Sequence, residues 1–339
     1  MASGREWVQG ARPRTLPAAI APVLVGTGVA AYQWRINWLT AVLALLVALA
    51  LQVGVNYAND YSDGIRGTDA VRIGPVRLVG QHLAAPKSVR LAAFGAFAIA
   101  AVGGLVLVLL TQAWWLLAVG SLAILAAWFY TGGPRPYGYV GLGEVFVFVF
   151  FGVVATAGTA YVQLGVITWL ALVLSCGVGL LSVAILVANN LRDIPGDTEA
   201  GKHTLAVRLG DAGTRRLYLA CLTAAYASAV VAGVLGLVAP HHGGAGFGSG
   251  GGSTANTWGS VELQQLSQLS IAYYAWSWGA FAALLSIPLA VPMIRVIRSG
   301  SKGRDLIPVL AGTGRLLLVY AVVLAAGLIT SAWVEHTVF

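Results

Sequence analysis

Two short stretches of this 339-residue chain gather the side chains best suited to chemistry. The first reads NYANDYSDGIRGTD, from Asn56 to Asp69, and the second NNLRDIPGDTEAGKHT, from Asn189 to Thr204. Asn56, Asp60 and Asp63 recur at i, i+4 and i+7, which puts them on one helix face. Asn189, Asp193 and Asp197 recur at i, i+4 and i+8, nearly one face, with Pro195 expected to end the helix before Asp197. Two like charges about 4 Å apart repel by roughly 4 kcal/mol at an effective dielectric near 20, so stacked carboxylates call for a cation. Oxygen ligands of this kind suit Mg²⁺, which keeps waters and is commonly shared with phosphates. Arg66, Arg72 and Arg77 lie in and after the first stretch, and Lys202 and Arg208 in and after the second. Metal plus basic side chains around one pocket is how a diphosphate is held. The segment from Gly196 to Lys202 nearly matches a nucleotide phosphate loop. However, His203 holds the Ser/Thr place and an apolar helix precedes it where a strand is required, so that reading is excluded.

The elements that must position these motifs are membrane helices. Hydrophobic residues make up 58% of the chain and charged residues 9%, against roughly 25% charged in a soluble domain. A hydrocarbon core of roughly 30 Å needs about 20 helical residues. Runs of that kind fall at about 15–32, 38–59, 88–110, 113–131, 142–162, 167–192, 214–238, 272–295 and 306–334, so nine transmembrane helices in one all-α bundle are expected. The first holds Pro17 and Pro22 and is expected to be kinked or partly re-entrant. Cys176 and Cys221 sit inside apolar runs as small core residues.

Charge sets the orientation. All but Arg35 of the 20 basic residues fall on alternate connections that share one side. The positive-inside rule then places the N-terminus in the cytoplasm and the C-terminus outside, in a multi-pass cell-membrane protein. The net charge of +8 thus needs no nucleic acid to explain it. Ten of the 12 acids lie on the same cytoplasmic side, both motifs included, so the active site is expected there. On the opposite side, residues 240–270 form a Gly/Ser-rich stretch, read as a flexible external loop within a single domain spanning 1–339; His241 and His242 in it are read as exposed.

The paired motifs resemble the UbiA superfamily of intramembrane prenyltransferases. Further stretches carry the likeness: ARPRTLPAAIAPVLVGTG (Ala11 to Gly28), YTGGPRPYGYVGLGEVFVFVFFG (Tyr130 to Gly152) and NNLRDIPGDTEAGKHTLAVRLG (Asn189 to Gly210). They are most similar to the branch that prenylates 1,4-dihydroxy-2-naphthoate. Two departures stand out: Gly64 fills the place where the superfamily usually has its second Asp, and Asn189 stands where many relatives have Asp. The resemblance implies Mg²⁺ on Asn56, Asp60, Asp63, Asn189, Asp193 and Asp197. It also implies a polyprenyl diphosphate donor held with help from Arg66, Arg72, Lys202 and Arg208, and ionisation to an allylic cation. The aromatic acceptor, 1,4-dihydroxy-2-naphthoate, would then be prenylated with loss of its carboxylate. Tyr130 and Arg135 are carried over as catalytic loop residues, whereas Glu144 is read as a helix N-terminal charge. Rival readings are a sister enzyme acting on 4-hydroxybenzoate or homogentisate and, from another class, a transporter using the acids as an ion path.

Overall fold

A computed structural model of the protein describes residues 2–67, 76–238 and 276–338. Asp69 and Arg72, expected near the site, and the 240–270 stretch with His241 and His242 lie outside them. Among the described residues every regular element is helical. In chain order these are α1 (Gly4–Gly10), α2 (Pro17–Tyr32), α3 (Trp38–Ile65), α4 (Pro86–Thr111), α5 (Leu116–Phe129), α6 (Gly143–Leu164), α7 (Trp169–Glu199), α8 (Leu205–Val238), α9 (Trp278–Arg298) and α10 (Gly303–Thr337). Seven of them are long and apolar enough to cross a bilayer, and the bent pair Gly4–Thr15 and Pro17–Tyr32 makes an eighth. At 14 residues, α5 is shorter than the expected run at 113–131.

Local chemistry explains the boundaries. Asn37 caps α3 by accepting the N–H of Thr40 at 3.2 Å, and Thr168 caps α7 through Ala171 at 3.1 Å. The first expected span bends by 49° ahead of α2 rather than at Pro22, which lies inside a continuous helix. Pro17 starts α2, where its missing N–H costs nothing. The expectation that Pro195 ends a helix is corrected: α7 runs through it to Glu199. A proline this close to a helix end removes only one bond of the final turns, and the continued turn carries Asp197 onto the motif face.

Among the seven long helices α7 is the most buried: 72% of its apolar stretch is buried, against 28–39% in the others. It packs on α2, α6, α8 and α10 around a core that includes Leu174, Leu181, Tyr218, Tyr320 and Leu324. A tight approach joins α6 to α7, where a Cβ on Gly152 would lie 2.6 Å from the Cα of Gly179. There α6 winds into a wider π turn over Phe148–Val154. Exposed Leu91, Val102, Leu122 and Leu285 line the outside of the bundle, which suits lipid and not water. Helices α3, α4 and α5 pack mainly on one another, and a cavity of about 750 Å³ lies between them and the α2, α6, α7 side.

Candidate active site

The cavity has one polar end and a long apolar body. Its polar end is built where the final turns of α3 and α7 meet three connections: the Ala11–Thr15 arm, the segment after residue 75 and the loop joining α5 to α6. Its body is lined by small and apolar side chains, among them Ala48, Gly104, Gly120, Val154 and Gly158, with Phe146 and Phe150 from α6.

Asp63 and Asp197, one from each motif, line the polar end. Lys202 stands between them, its Nζ 3.2 Å from Asp63 Oδ1 and 4.0 Å from Asp197 Oδ1. All three residues are buried. The Tyr139 hydroxyl donates to Asp63, and the Tyr139 ring lies under Lys202 Nζ at 4.5 Å and the Arg66 guanidinium at 5.5 Å. Burial, and then the Asp63 charge, push the Tyr139 phenol above its ordinary range, so it stays a donor. Arg66 itself donates to the carbonyls of Thr131 and Gly133, fastening the end of α3 to the α5–α6 loop.

The other motif residues divide by place. Asn56 lines the cavity and donates to Ala11 O at 2.8 Å and Thr15 Oγ1 at 3.0 Å, while accepting from Gln52 at 3.3 Å. Asp60, also buried, accepts the backbone N–H groups of Leu78 and Val79. Asn189 lines the cavity, its Oδ1 accepting from Arg192 at 2.8 Å and its Nδ2 donating to Asp193 at 3.4 Å. Asp193 takes a two-pronged grip from Arg192 at 2.7 and 2.8 Å. Tyr130 lines the cavity with its ring edge-on to Tyr137. Arg135 and Arg208 are exposed, Arg208 donating to His203 O at 3.1 Å.

Several cavity residues escaped the sequence reading as site members. Arg12, Arg14 and Arg192 line it, as do Asn59, Asn190 and Tyr139; Arg77, expected among the basic residues of the pocket, lines it too. Asn59 accepts from Thr131 at 2.8 Å, and Asn190 donates to the buried Glu144 at 3.0 Å. Glu144 therefore sits at the start of α6 against the second motif. The doubled amides in N-Y-A-N and N-N were the available signal, since both lie a helical turn from a motif acid.

The donor set suits a hard divalent ion: carboxylate oxygens of Asp63 and Asp197, with the amides of Asn56 and Asn189 also lining the cavity. Among the described residues no three acidic, His or Cys side chains converge as a self-sufficient metal cage. A Mg²⁺ here therefore fits as an ion that shares its shell with a ligand's phosphates.

The UbiA prenyltransferase family model matches residues 19–285. The chain is 50% identical over 328 residues to the 1,4-dihydroxy-2-naphthoate octaprenyltransferase of Mycobacterium tuberculosis, covering 97% of this chain and 98% of that protein. The enzyme of the same name from Mycobacterium leprae is 48% identical over 336 residues, covering 99% of this chain and all of its own length. In fold, the chain is similar to a UbiA homologue from Archaeoglobus fulgidus bound to GPP and Mg²⁺, with a TM-score of 0.62 at 13% identity, covering 96% of this chain and 99% of that one. With its apolar helices and its motif-lined cavity, this multi-pass membrane protein is a member of the UbiA prenyltransferase family.

Proposed function

We propose that the protein transfers a polyprenyl group from polyprenyl diphosphate to 1,4-dihydroxy-2-naphthoate, with Mg²⁺, at the polar end of this cavity. One observation carries the reading. Acids from both motifs meet across a lysine at the mouth of a space whose remaining walls are apolar. A diphosphate and an isoprenoid tail have that division of polarity. The near full-length identity to two naphthoate prenyltransferases selects the acceptor.

Asp63 and Asp197, with Asn56 and Asn189, would hold Mg²⁺, and Asp60 and Asp193 support the same two helix ends. When bound, the ion supplies positive charge against the diphosphate oxygens. Lys202, Arg12, Arg77 and Arg192 face the same end and stabilise the leaving group as the donor's C1–O bond breaks, its electron pair leaving with the diphosphate. Phe146, Phe150 and Val154 keep water from the allylic cation that remains. The electron-rich ring of the acceptor forms the new C–C bond to that cation, and its carboxylate departs as CO₂. Tyr130 and Tyr137, at the junction of polar end and apolar body, offer the acceptor a stacking surface.

The finer topology belongs to the same proposal: one domain over 1–339 with nine spans, α5 and the α1–α2 pair included, and the site at the cytoplasmic face. The basic residues around the motif end support this orientation. The test is to incubate membranes bearing the protein with polyprenyl diphosphate, Mg²⁺ and a panel of aromatic acceptors, and to read product masses. The prenylated, decarboxylated naphthoate is expected. Prenylation of 4-hydroxybenzoate or homogentisate alone would reject the acceptor.

A further inference from the structure

Lys202 occupies the very space between Asp63 and Asp197 in which a shared cation would sit. It is 5% exposed, and its ammonium reaches an acid of each motif. Its backbone is tied to the end of α7, Lys202 N donating to Asp197 O at 2.8 Å, and Gly201 beside it takes φ +67°. The four-carbon stem above that anchor is free to change partners within the cavity. Nor do the two carboxylates make a metal site unaided: among the described residues no third acidic, His or Cys side chain joins them.

From this arrangement, and resting on the diphosphate reading above, we infer that Lys202 is an exchangeable internal cation that makes metal binding depend on the diphosphate. Without donor, the ammonium offsets part of the charge of Asp63 and Asp197 and competes with a divalent ion for the space between them. A diphosphate arriving with its metal gives Lys202 phosphate oxygens as new partners, and frees the carboxylates as metal ligands. Metal and diphosphate would then load together, and the released ammonium would already be aimed at the leaving group. The Tyr139 ring, 4.5 Å from Nζ, steadies the cation in its parked position.

The experiment uses the full chain in lipid nanodiscs and Mn²⁺ in place of Mg²⁺, with free Mn²⁺ read by electron paramagnetic resonance. Affinity is measured alone and with a prenyl thiolodiphosphate that resists cleavage. Wild type should bind Mn²⁺ on the order of tenfold to a hundredfold more tightly with the thiolodiphosphate than without it. In Lys202→Gln, Mn²⁺ should bind at least about tenfold more tightly than in wild type when no diphosphate is present. Lys202→Arg, which keeps the charge, should restore the wild-type dependence and controls for folding. If Lys202→Gln binds Mn²⁺ no better than wild type while thiolodiphosphate still promotes binding, the inference is wrong and the metal–diphosphate site stands. If thiolodiphosphate promotes Mn²⁺ binding in none of the three proteins, that site reading fails, and the inference with it.

Discussion

Asp60 holds Leu78 by its backbone: Oδ2 accepts the Leu78 N–H at 2.8 Å, and Oδ1 accepts that of Val79 at 3.1 Å. The carboxylate thus folds the segment after residue 75 over the end of α3 and brings Arg77 to the cavity. In Asp60→Asn, one acceptor oxygen becomes an NH₂ facing a buried N–H, which costs about 1–3 kcal/mol. Both the thermal midpoint and the turnover should therefore fall. Turnover lost at an unchanged midpoint would mean that Asp60 acts only as a ligand.

The apolar body should set the tail length. Gly158 lines the cavity, and a Cβ there meets nothing within 4 Å. Gly158→Phe should insert without strain and occupy the space of an isoprenoid unit. Turnover of a long polyprenyl diphosphate is expected to drop on the order of tenfold or more while a ten-carbon donor is spared. Equal losses for both donors would place the tail elsewhere.

Tyr139→Phe removes the hydrogen bond to Asp63 but keeps the ring under Lys202 and Arg66. A bond to a charged acceptor is worth about 1.5–3 kcal/mol, so turnover should fall roughly tenfold or more. Because the phenol is held above its usual value near 10, it stays protonated as pH rises to about 10. The pH–rate profiles of wild type and variant should run parallel up to that point. An alkaline limb present in wild type and absent from Tyr139→Phe would contradict this.

The contact of α6 with α7 tolerates no side chain. Gly152→Val would drive a Cβ to 2.6 Å from the Gly179 Cα, a backbone atom on the central helix that cannot give way. The expected cost is about 2 kcal/mol or more, read as a lower thermal midpoint or a lost folded yield.

Apolar runs and motif spacing made the helices and the two chemical ends legible before any coordinates, because both are periodic and local. Less visible were the features that arise when distant segments meet. A kink in the first span was expected and is present, but its place before α2, where Pro17 gives up no helical bond, and the passage of α7 through Pro195 depend on where each proline falls in its helix. Tyr139 belongs to neither acidic motif, and only the folding of the α5–α6 loop brings it against Asp63. Arg12 and Arg14 read as positive-inside residues, and only the return of the N-terminal arm to α3, through Ala11 and Thr15, brings them to the cavity. Lys202 looked like one basic residue among several, since a sequence spacing cannot reveal that its ammonium lies between acids on two helices.

Orientation is open to labelling. Arg35 and Arg304 are exposed at opposite ends of the bundle. With Cys176 and Cys221 replaced, a cysteine at position 35 should react with an impermeant thiol reagent outside intact cells, and one at 304 should not. The opposite pattern would put the motif end outside.

The most direct measurement is the turnover of Asp63→Asn and Asp197→Asn across a Mg²⁺ titration, with membrane insertion checked for each. Both residues line the polar end of the cavity, and each substitution keeps size while removing one charge and one proposed metal ligand. Each should lose about 3–4 kcal/mol of transition-state stabilisation, or roughly 10²–10³ in rate. If both inserted variants kept more than about a third of wild-type turnover at limiting Mg²⁺, the paired motifs would not be the diphosphate site.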